Sequence, residues 1–394
     1  MAMVDMRDLL HHAYGNRYAV GAFGIVSLDF LQATIAAAET ERSPVILNVV
    51  EPHCGLYDLD LLMTATIRAA KKASVPVAVH MDHCSSLDVV QTSIRLGCNS
   101  VKLDAASESF PVNVERTRNV VNMAHAWGVP VEGEIGCVTG MGRDNGESNS
   151  DVPVYTHVEE AKAYIEKTSV DFLAVSIGTV HGRVKGKPRL DYTRLARIQE
   201  KFSIPCVIHG GTGLSEQQYR KLIDHGVAKI NYFTALAEMH AKQLEANLKN
   251  KNMSYQQVFL DVREKISDEV KHCMQVLNSA GRAAEVLMQC RPWRNVESVI
   301  IYNPDTEDQD VIDGVLAKGQ QDISQIPGVL NVEIGRSINS NSRYNYCWLV
   351  RVANEDVLKR FKAHPMYKAY AENYVKPVVS GSAANDYKKL DAAG

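Results

Sequence analysis

The residues in this chain best suited to chemistry are three histidines and an aspartate, each at the end of a short apolar run. Asp82 and His83 close the run Val77-Ala-Val-His-Met-Asp-His83. His181 closes Ala174-Val-Ser-Ile-Gly-Thr-Val-His181, and His209 follows Cys206-Val-Ile. Imidazole nitrogen suits a divalent transition metal, and three protein ligands leave a position open for substrate. One such histidine is ordinarily a hydrogen-bonded core residue; three in repeated positions point to a metal active site. Cys84 adjoins His83, but neighbours on a strand face opposite sides, so packing is its expected role.

A repeating strand–helix pattern must position these groups. Between Tyr18 and about Leu248 the candidate strands are Ala19–Phe23, Val45–Val49, Val77–Met81, Ser100–Leu103, Val129–Glu132, Phe172–Ile177, Cys206–His209 and Ala228–Asn231. Amphipathic stretches such as Asp29–Thr40, Leu59–Ala73, Val112–Trp127, Val158–Lys167 and Glu216–His225 lie between them. Strands alternating with helices predict a (β/α)8 TIM barrel, whose active site is built at the carboxyl ends of the strands. An open doubly wound sheet is the alternative, but its G-x-G-x-x-G first turn is missing. Two loops are long, Gly133 to His157 and Gly182 to about Asp191, and are expected to act as lids on the catalytic face. A plain surface insertion is the alternative. Helical pattern resumes over Tyr255–Leu277, and Asn278-Ser-Ala-Gly-Arg-Ala283 reads as its C-cap.

After Arg291-Pro-Trp-Arg the order changes. A strand (Glu297–Tyr302), a helix (Asp308–Gln325), two strands (Val329–Gly335 and Tyr344–Val352), a helix (Glu355–Tyr374) and a last strand (Asp386–Leu390) are expected. This β-α-β-β-α-β order is that of a small ferredoxin-like α+β domain. Two domains, 1–290 and 291–394, also suit a length of 394 residues. An open four-stranded sheet tends to find a partner, so a homo-oligomer is expected.

Composition narrows the function classes. Hydrophobic residues make up 45% and charged residues 23% of the chain, as in ordinary globular proteins. A net charge of −3 argues against nucleic acid or an anionic membrane as partner. No apolar run approaches the roughly 20 residues of a membrane span, and the acidic N-terminus lacks the apolar core of a signal peptide. The eight cysteines are scattered without a C-x-x-C pair, which predicts reduced thiols and a cytoplasmic location.

Six motifs together carry a family resemblance over roughly residues 4–283. They are His80-Met-Asp-His83, Val131-Glu-Gly-Glu-Ile-Gly136, Ile177-Gly-Thr-Val-His-Gly182, His209-Gly-Gly-Thr-Gly213, Lys229-Ile-Asn231 and Ser279-Ala-Gly-Arg-Ala283. In this order they resemble the class II, metal-dependent ketose-bisphosphate aldolases. The resemblance implies that His83, His181 and His209 ligate one Zn2+, with Co2+ or Fe2+ as substitutes. Asp82 would take the proton from the C4 hydroxyl as the C3–C4 bond breaks, while the metal polarises the C2 carbonyl. Glu134 resembles a carboxylate that holds a displaced or second metal, and Asp104 a polar residue beneath the site. Gly182, Gly210, Gly211, Gly213, Thr212, Asn231 and Thr234 match a phosphate cradle, in which glycines let N–H groups approach an anion and a helix start favours it. Lys185 would add charge from its loop, and relatives hold a monovalent cation, Na+ or K+, on nearby carbonyls. The implied reaction is reversible retro-aldol cleavage of a ketose 1-phosphate or bisphosphate to dihydroxyacetone phosphate and an aldehyde.

The chain also departs from that pattern. Ala22-Phe-Gly24 stands where relatives read Ala-Phe-Asn, and Val50-Glu-Pro-His53 where they carry small residues. Phe233 fills a place that is usually small or acidic. Gly140-Met-Gly-Arg-Asp144 lacks the loop glutamate that shuttles the C3 proton, so Asp144 or Glu147 is the substitute, and Arg143 is a candidate for an additional anionic group such as a sulfonate. Fructose 1,6-bisphosphate is therefore not the expected substrate. Two other readings stay open: a retro-aldol lyase acting on a non-phosphorylated hydroxy-ketone or keto acid, and an inactive metal-dependent sugar-phosphate sensor. Residues 295–392, through Ile326-Pro-Gly-Val-Leu, Val332-Glu-Ile-Gly335 and Ala363-His-Pro-Met-Tyr367, resemble the stress-responsive dimeric α/β-barrel domains, which implies an assembly role.

Overall fold

A computed structural model of the chain describes residues 2–136, 138, 155–182, 188–250, 252–259, 261–339 and 341–388. It separates into two compact units, 1–122 with 130–292, and 123–129 with 293–394.

In the first unit eight parallel strands close into a barrel in sequential order. They are β1 (Val20–Gly24), β2 (Val45–Val50), β3 (Val77–Cys84), β4 (Ser100–Leu103), β5 (Val131–Ile135), β6 (Phe172–Val175), β7 (Cys206–Ile208) and β8 (Val227–Tyr232). Both faces of such strands are covered, the inner by the other strands and the outer by helices, so nearly every strand residue is buried. That is why the strands read as continuous Val/Ile/Leu/Ala runs without alternation. The helix Met6–Gly15 packs Leu9 and Leu10 into a core cluster with Val20, Ile46, Ala78 and Val207.

Capping chemistry starts the helices where the sequence places it. Ser27, Asp58, Ser86 and Ser215 each accept a backbone N–H at the head of a helix, and Ser215 with Gln218 forms a reciprocal capping box. In this first unit an expected helix is corrected. The single helix over Tyr255–Leu277 is two, Tyr255–Val258 and Val262–Val276, because Asp261 takes a left-handed conformation (φ 64°) that cannot continue a helix. The second helix does end as expected, with Asn278 at φ 59°.

The second unit contains an antiparallel sheet of β9 (Val296–Pro304), β10 (Val329–Arg336), β11 (Tyr346–Val352) and β12 (Val379–Lys388), in the order β10-β11-β9-β12. With the helices Gln309–Ser324, Glu355–Ala363 and Pro365–Tyr370 this is the ferredoxin-like order. His364 ends one helix and caps the next, with Pro365 behind it, so the expected helix Glu355–Tyr374 is broken there. Along β11, Tyr346, Trp348, Val350 and Val352 are buried while Cys347, Leu349 and Arg351 are half-exposed, the alternation of a sheet with one covered face.

Candidate functional site

The end of β3 sets the geometry. Regular strand alternation would send Asp82 and His83 to opposite faces. Here His83 has φ 54°, and the pairing of β3 with β4 shifts register between Met81 and Cys84. The left-handed residue turns the chain, so both side chains reach the mouth of the barrel. His83, His181 and His209 then meet there, with ring centroids 5.1–5.6 Å apart and one potential ligand atom from each within 4.8 Å of the others.

The nitrogens are prepared for a cation. Glu132 Oε1 lies 2.8 Å from His209 Nε2. A carboxylate only accepts, so the proton sits on Nε2 and the lone pair on Nδ1, which is buried without a partner. Both ring nitrogens of His181 are likewise buried without a partner. Burial, then the nearby His83, pushes the His181 imidazole down to about 4, and burial holds His209 well below its usual value. Neutral imidazoles with free lone pairs are what metal ligation requires. The three histidines therefore fit a divalent ion.

Asp82 is fully buried and fixed on every side. Its Oδ1 accepts the His83 N–H at 2.9 Å, and Oδ2 accepts Asn48 Nδ2 at 3.1 Å and Asn231 Nδ2 at 2.8 Å. Burial opposes its ionisation, but the surrounding positive charge, that of the buried Lys102 and Lys229 included, outweighs burial and holds the carboxyl well below the usual range. It is an ionised carboxylate held in place at a cavity of about 260 Å³.

Behind these groups is a layer of buried charge whose roles the sequence motifs did not reveal. Lys229 Nζ donates to Glu132 Oε2 at 2.6 Å, and Lys102 Nζ pairs with Glu134 Oε2 at 2.7 Å. Both lysines have no exposed surface. Lys102 Nζ also lies 3.2 Å from His83 Nδ1, and Asp104 Oδ2 lies 3.3 Å from the same nitrogen. Their signal was present: a charged residue in the middle of a buried parallel strand, as in Val101-Lys-Leu103 and Ala228-Lys-Ile230, needs a buried partner. Asn48, in the apolar run Val45–Val50, carried the same signal.

The cradle residues converge beside the histidines, and Gly182, Gly210, Gly211, Thr212, Asn231 and Thr234 all line the cavity. Gly210 is at φ 71°, and a Cβ there would lie 2.0 Å from the Val180 carbonyl oxygen, so only glycine fits. Phe233, at the head of the helix Thr234–Leu248, offers it no capping side chain, and Thr212 Oγ1 accepts the Ala235 N–H at 3.4 Å; the start of such a helix favours an anion. Two expected members have other partners as well. The Gly211 N–H donates to the Asn231 carbonyl at 3.1 Å, and the Asn231 amide holds Asp82. The opposite wall joins the three described departures. A Cβ on Gly24 would lie 2.5 Å from Phe233 Cδ2, and the Phe233 ring packs at a tilt against His53, centroids 4.5 Å apart. Cys84 is buried, and burial pushes its thiol well up, in keeping with a packing role. The seven described cysteines are free. Lys185, Arg143, Asp144 and Glu147 lie outside the described residues.

Comparison with known proteins agrees with this geometry. Residues 4–282 match the model of the class-II fructose-bisphosphate aldolase family, and residues 299–389 match the stress responsive A/B barrel domain. Fructose-bisphosphate aldolase of Geobacillus stearothermophilus is 36% identical over 291 residues, covering 72% of this chain and all of the relative. The probable fructose-bisphosphate aldolase of Bacillus subtilis (strain 168) is 36% identical over 288 residues, with the same coverage. Among solved structures, the YdjI aldolase of Escherichia coli K12 superposes with a TM-score of 0.64 at 28% identity, over 71% of this chain and 99% of that one. A putative fructose-1,6-biphosphate aldolase from Coccidioides immitis gives 0.65 at 28% identity, over 70% and 97%. The histidine group, the buried aspartate and the glycine-lined mouth thus occur on the barrel of a carbon–carbon lyase family that is generally metal-dependent, and this chain belongs to the class-II fructose-bisphosphate aldolases, extended by a stress-responsive A/B barrel domain.

Proposed function

We propose that the chain is a zinc-dependent aldolase cleaving a phosphorylated ketose to dihydroxyacetone phosphate and an aldehyde. The observation that carries this reading is the meeting of His83, His181 and His209 beside the buried, ionised Asp82. These histidines would hold the ion, which when bound supplies Lewis acidity toward the ketose carbonyl. Asp82 takes the proton of the C4 hydroxyl; the C3–C4 electron pair stays on C3, and C4 leaves as the aldehyde carbon. Asn48 and Asn231 keep the carboxylate aimed, and its burial keeps water from competing for it. Gly182, Gly210, Thr212 and Thr234 seat the phosphate, with Lys185 adding charge and Na+ or K+ held on nearby carbonyls. Asp144 returns a proton to C3, and Arg143 meets a second anionic group.

The Gly24–His53–Phe233 wall supports a ketose other than fructose 1,6-bisphosphate, because an aromatic surface replaces a polar one. We assign residues 1–290 to catalysis in the cytoplasm and 291–394 to assembly of a homo-oligomer. Support for assembly is the half-exposed sheet face of Val299, Ile301 and Leu349. No described helix is long and apolar enough to cross a membrane.

The test is metal analysis joined to NMR of dihydroxyacetone phosphate in D2O. Bound zinc and chelator-sensitive loss of a hydroxymethyl hydrogen are expected. Asp82→Ala should keep the metal and lose ketose cleavage by at least about 100-fold. A protein that takes up no metal overturns the reading.

A further inference from the structure

Next to the three-histidine group lies a second set of groups able to hold a cation. His83, Asp104 and Glu134 each offer a ligand atom within 4.8 Å of the others. A positive charge is already there. Lys102 Nζ reaches into this set from β4, 2.7 Å from Glu134 Oε2, 3.2 Å from His83 Nδ1 and 3.9 Å from Asp82 Oδ1.

We propose that Lys102 is a built-in cation that closes this second group, so that the barrel holds one divalent ion and Glu134 serves as the lysine's counter-ion. This rests on the metal reading given above. Three observations carry it. A divalent ion held by Glu134 and His83 would have to share with the ammonium the Glu134 Oε2 that lies 2.7 Å from it and the His83 Nδ1 that lies 3.2 Å from it, and like charge opposes that. Lys102 has no exposed surface and does not line the cavity, so its amine is not presented to substrate as a nucleophile. Charge balance agrees. The buried Asp82, Glu132 and Glu134 and the half-exposed Asp104 face Lys102 and Lys229, which leaves two negative charges for one dication to cancel. A second dication would leave a buried surplus of positive charge, which is costly.

The test is zinc content at fixed free zinc, by equilibrium dialysis and elemental analysis, with Co2+ absorption as an independent count of ligand environments. Wild type should bind one ion per chain. Lys102→Met should bind two, and Lys102→Met combined with Glu134→Gln should return to one. Glu134→Gln alone should still bind one ion. Two ions in wild type, one in a folded Lys102→Met protein, or loss of the ion from Glu134→Gln would each overturn the proposal. If Lys102→Met does not fold, the wild-type and Glu134→Gln counts still decide. Wild type binding no zinc would instead remove the metal reading itself, a different result from binding two.

Discussion

Replacing Gly24 by alanine should destabilise the barrel, and removing the Phe233 ring should reverse the sign of that effect. A Cβ at position 24 would lie 2.5 Å from Phe233 Cδ2, 3.0 Å from Cγ and 3.1 Å from Cβ. These are the root of the side chain, so a small rotation does not relieve the contact. The ring is also held between His53 at 4.5 Å and Phe30 at 6.0 Å. Overpacking of this kind costs about 1–3 kcal/mol. Gly24 is not in the left-handed region, so alanine suits its backbone and gains about 0.4–1 kcal/mol by restricting the unfolded chain. Gly24→Ala should therefore lose roughly 1–2 kcal/mol in wild type. Phe233→Ala, at a half-buried ring, should lose about 1–2 kcal/mol, below the range for a fully buried phenylalanine. In the Phe233→Ala background the ring contacts at 2.5 and 3.0 Å are gone and only the 3.1 Å approach to Cβ remains, so most of the overpacking is relieved and Gly24→Ala should be stabilising by part of the unfolded-state gain, a coupling of about 2 kcal/mol. Denaturant unfolding followed by circular dichroism on the four proteins measures this directly. The same sign for Gly24→Ala in both backgrounds would refute the claim that these two departures form one unit.

Glu132→Gln removes the charge that fixes the His209 proton and leaves Lys229 without its carboxylate. Zinc affinity in a chelator competition should fall about 10- to 100-fold, and an unchanged affinity would contradict the assigned tautomer. His80, fully buried with Nδ1 2.8 Å from Ser100 Oγ, is pushed down to about 3 by burial, against about 6.5 for a free imidazole. The unfolded chain thus binds a proton that the native chain refuses. This contribution is complete above about pH 6.5 and is lost as pH falls toward 3, about 2 kcal/mol by pH 5 at roughly 1.4 kcal/mol per pH unit. His80→Gln should flatten the pH dependence of unfolding in that window, and an unaltered slope would show that His80 is not its source.

Much of this was legible in the chain because a parallel barrel writes its strands as apolar runs and its chemistry at their ends. His83, His181 and His209 each stand just past such a run and do meet. What remained hidden depends on single torsions or on burial of unusual residues. That Asp82 and His83 share one face follows from one left-handed residue and a register shift, neither of which residue type dictates. Lys102 and Lys229 carry a side chain that is nearly always solvated, and only closure of the barrel brings Glu134 and Glu132 against them. The last strand, expected at Asp386–Leu390, begins at Val379. Its Ser-Gly-Ser-Ala-Ala-Asn stretch has low strand preference, and pairing with β9 along its length supplies what the residues lack.

The left-handed backbone at His83 bears on how such a chain changes over generations. A non-glycine residue there costs roughly 1 kcal/mol or more, which glycine avoids and asparagine reduces. Conformation and chemistry pull in opposite directions at this one codon: the turn favours glycine or asparagine, while the metal group needs imidazole. As long as selection maintains catalysis, histidine persists against that pull. In a copy released from that selection, glycine or asparagine at position 83 is an early stabilising change. A homologue with the other motifs intact and either residue there would record lost turnover without a lost fold.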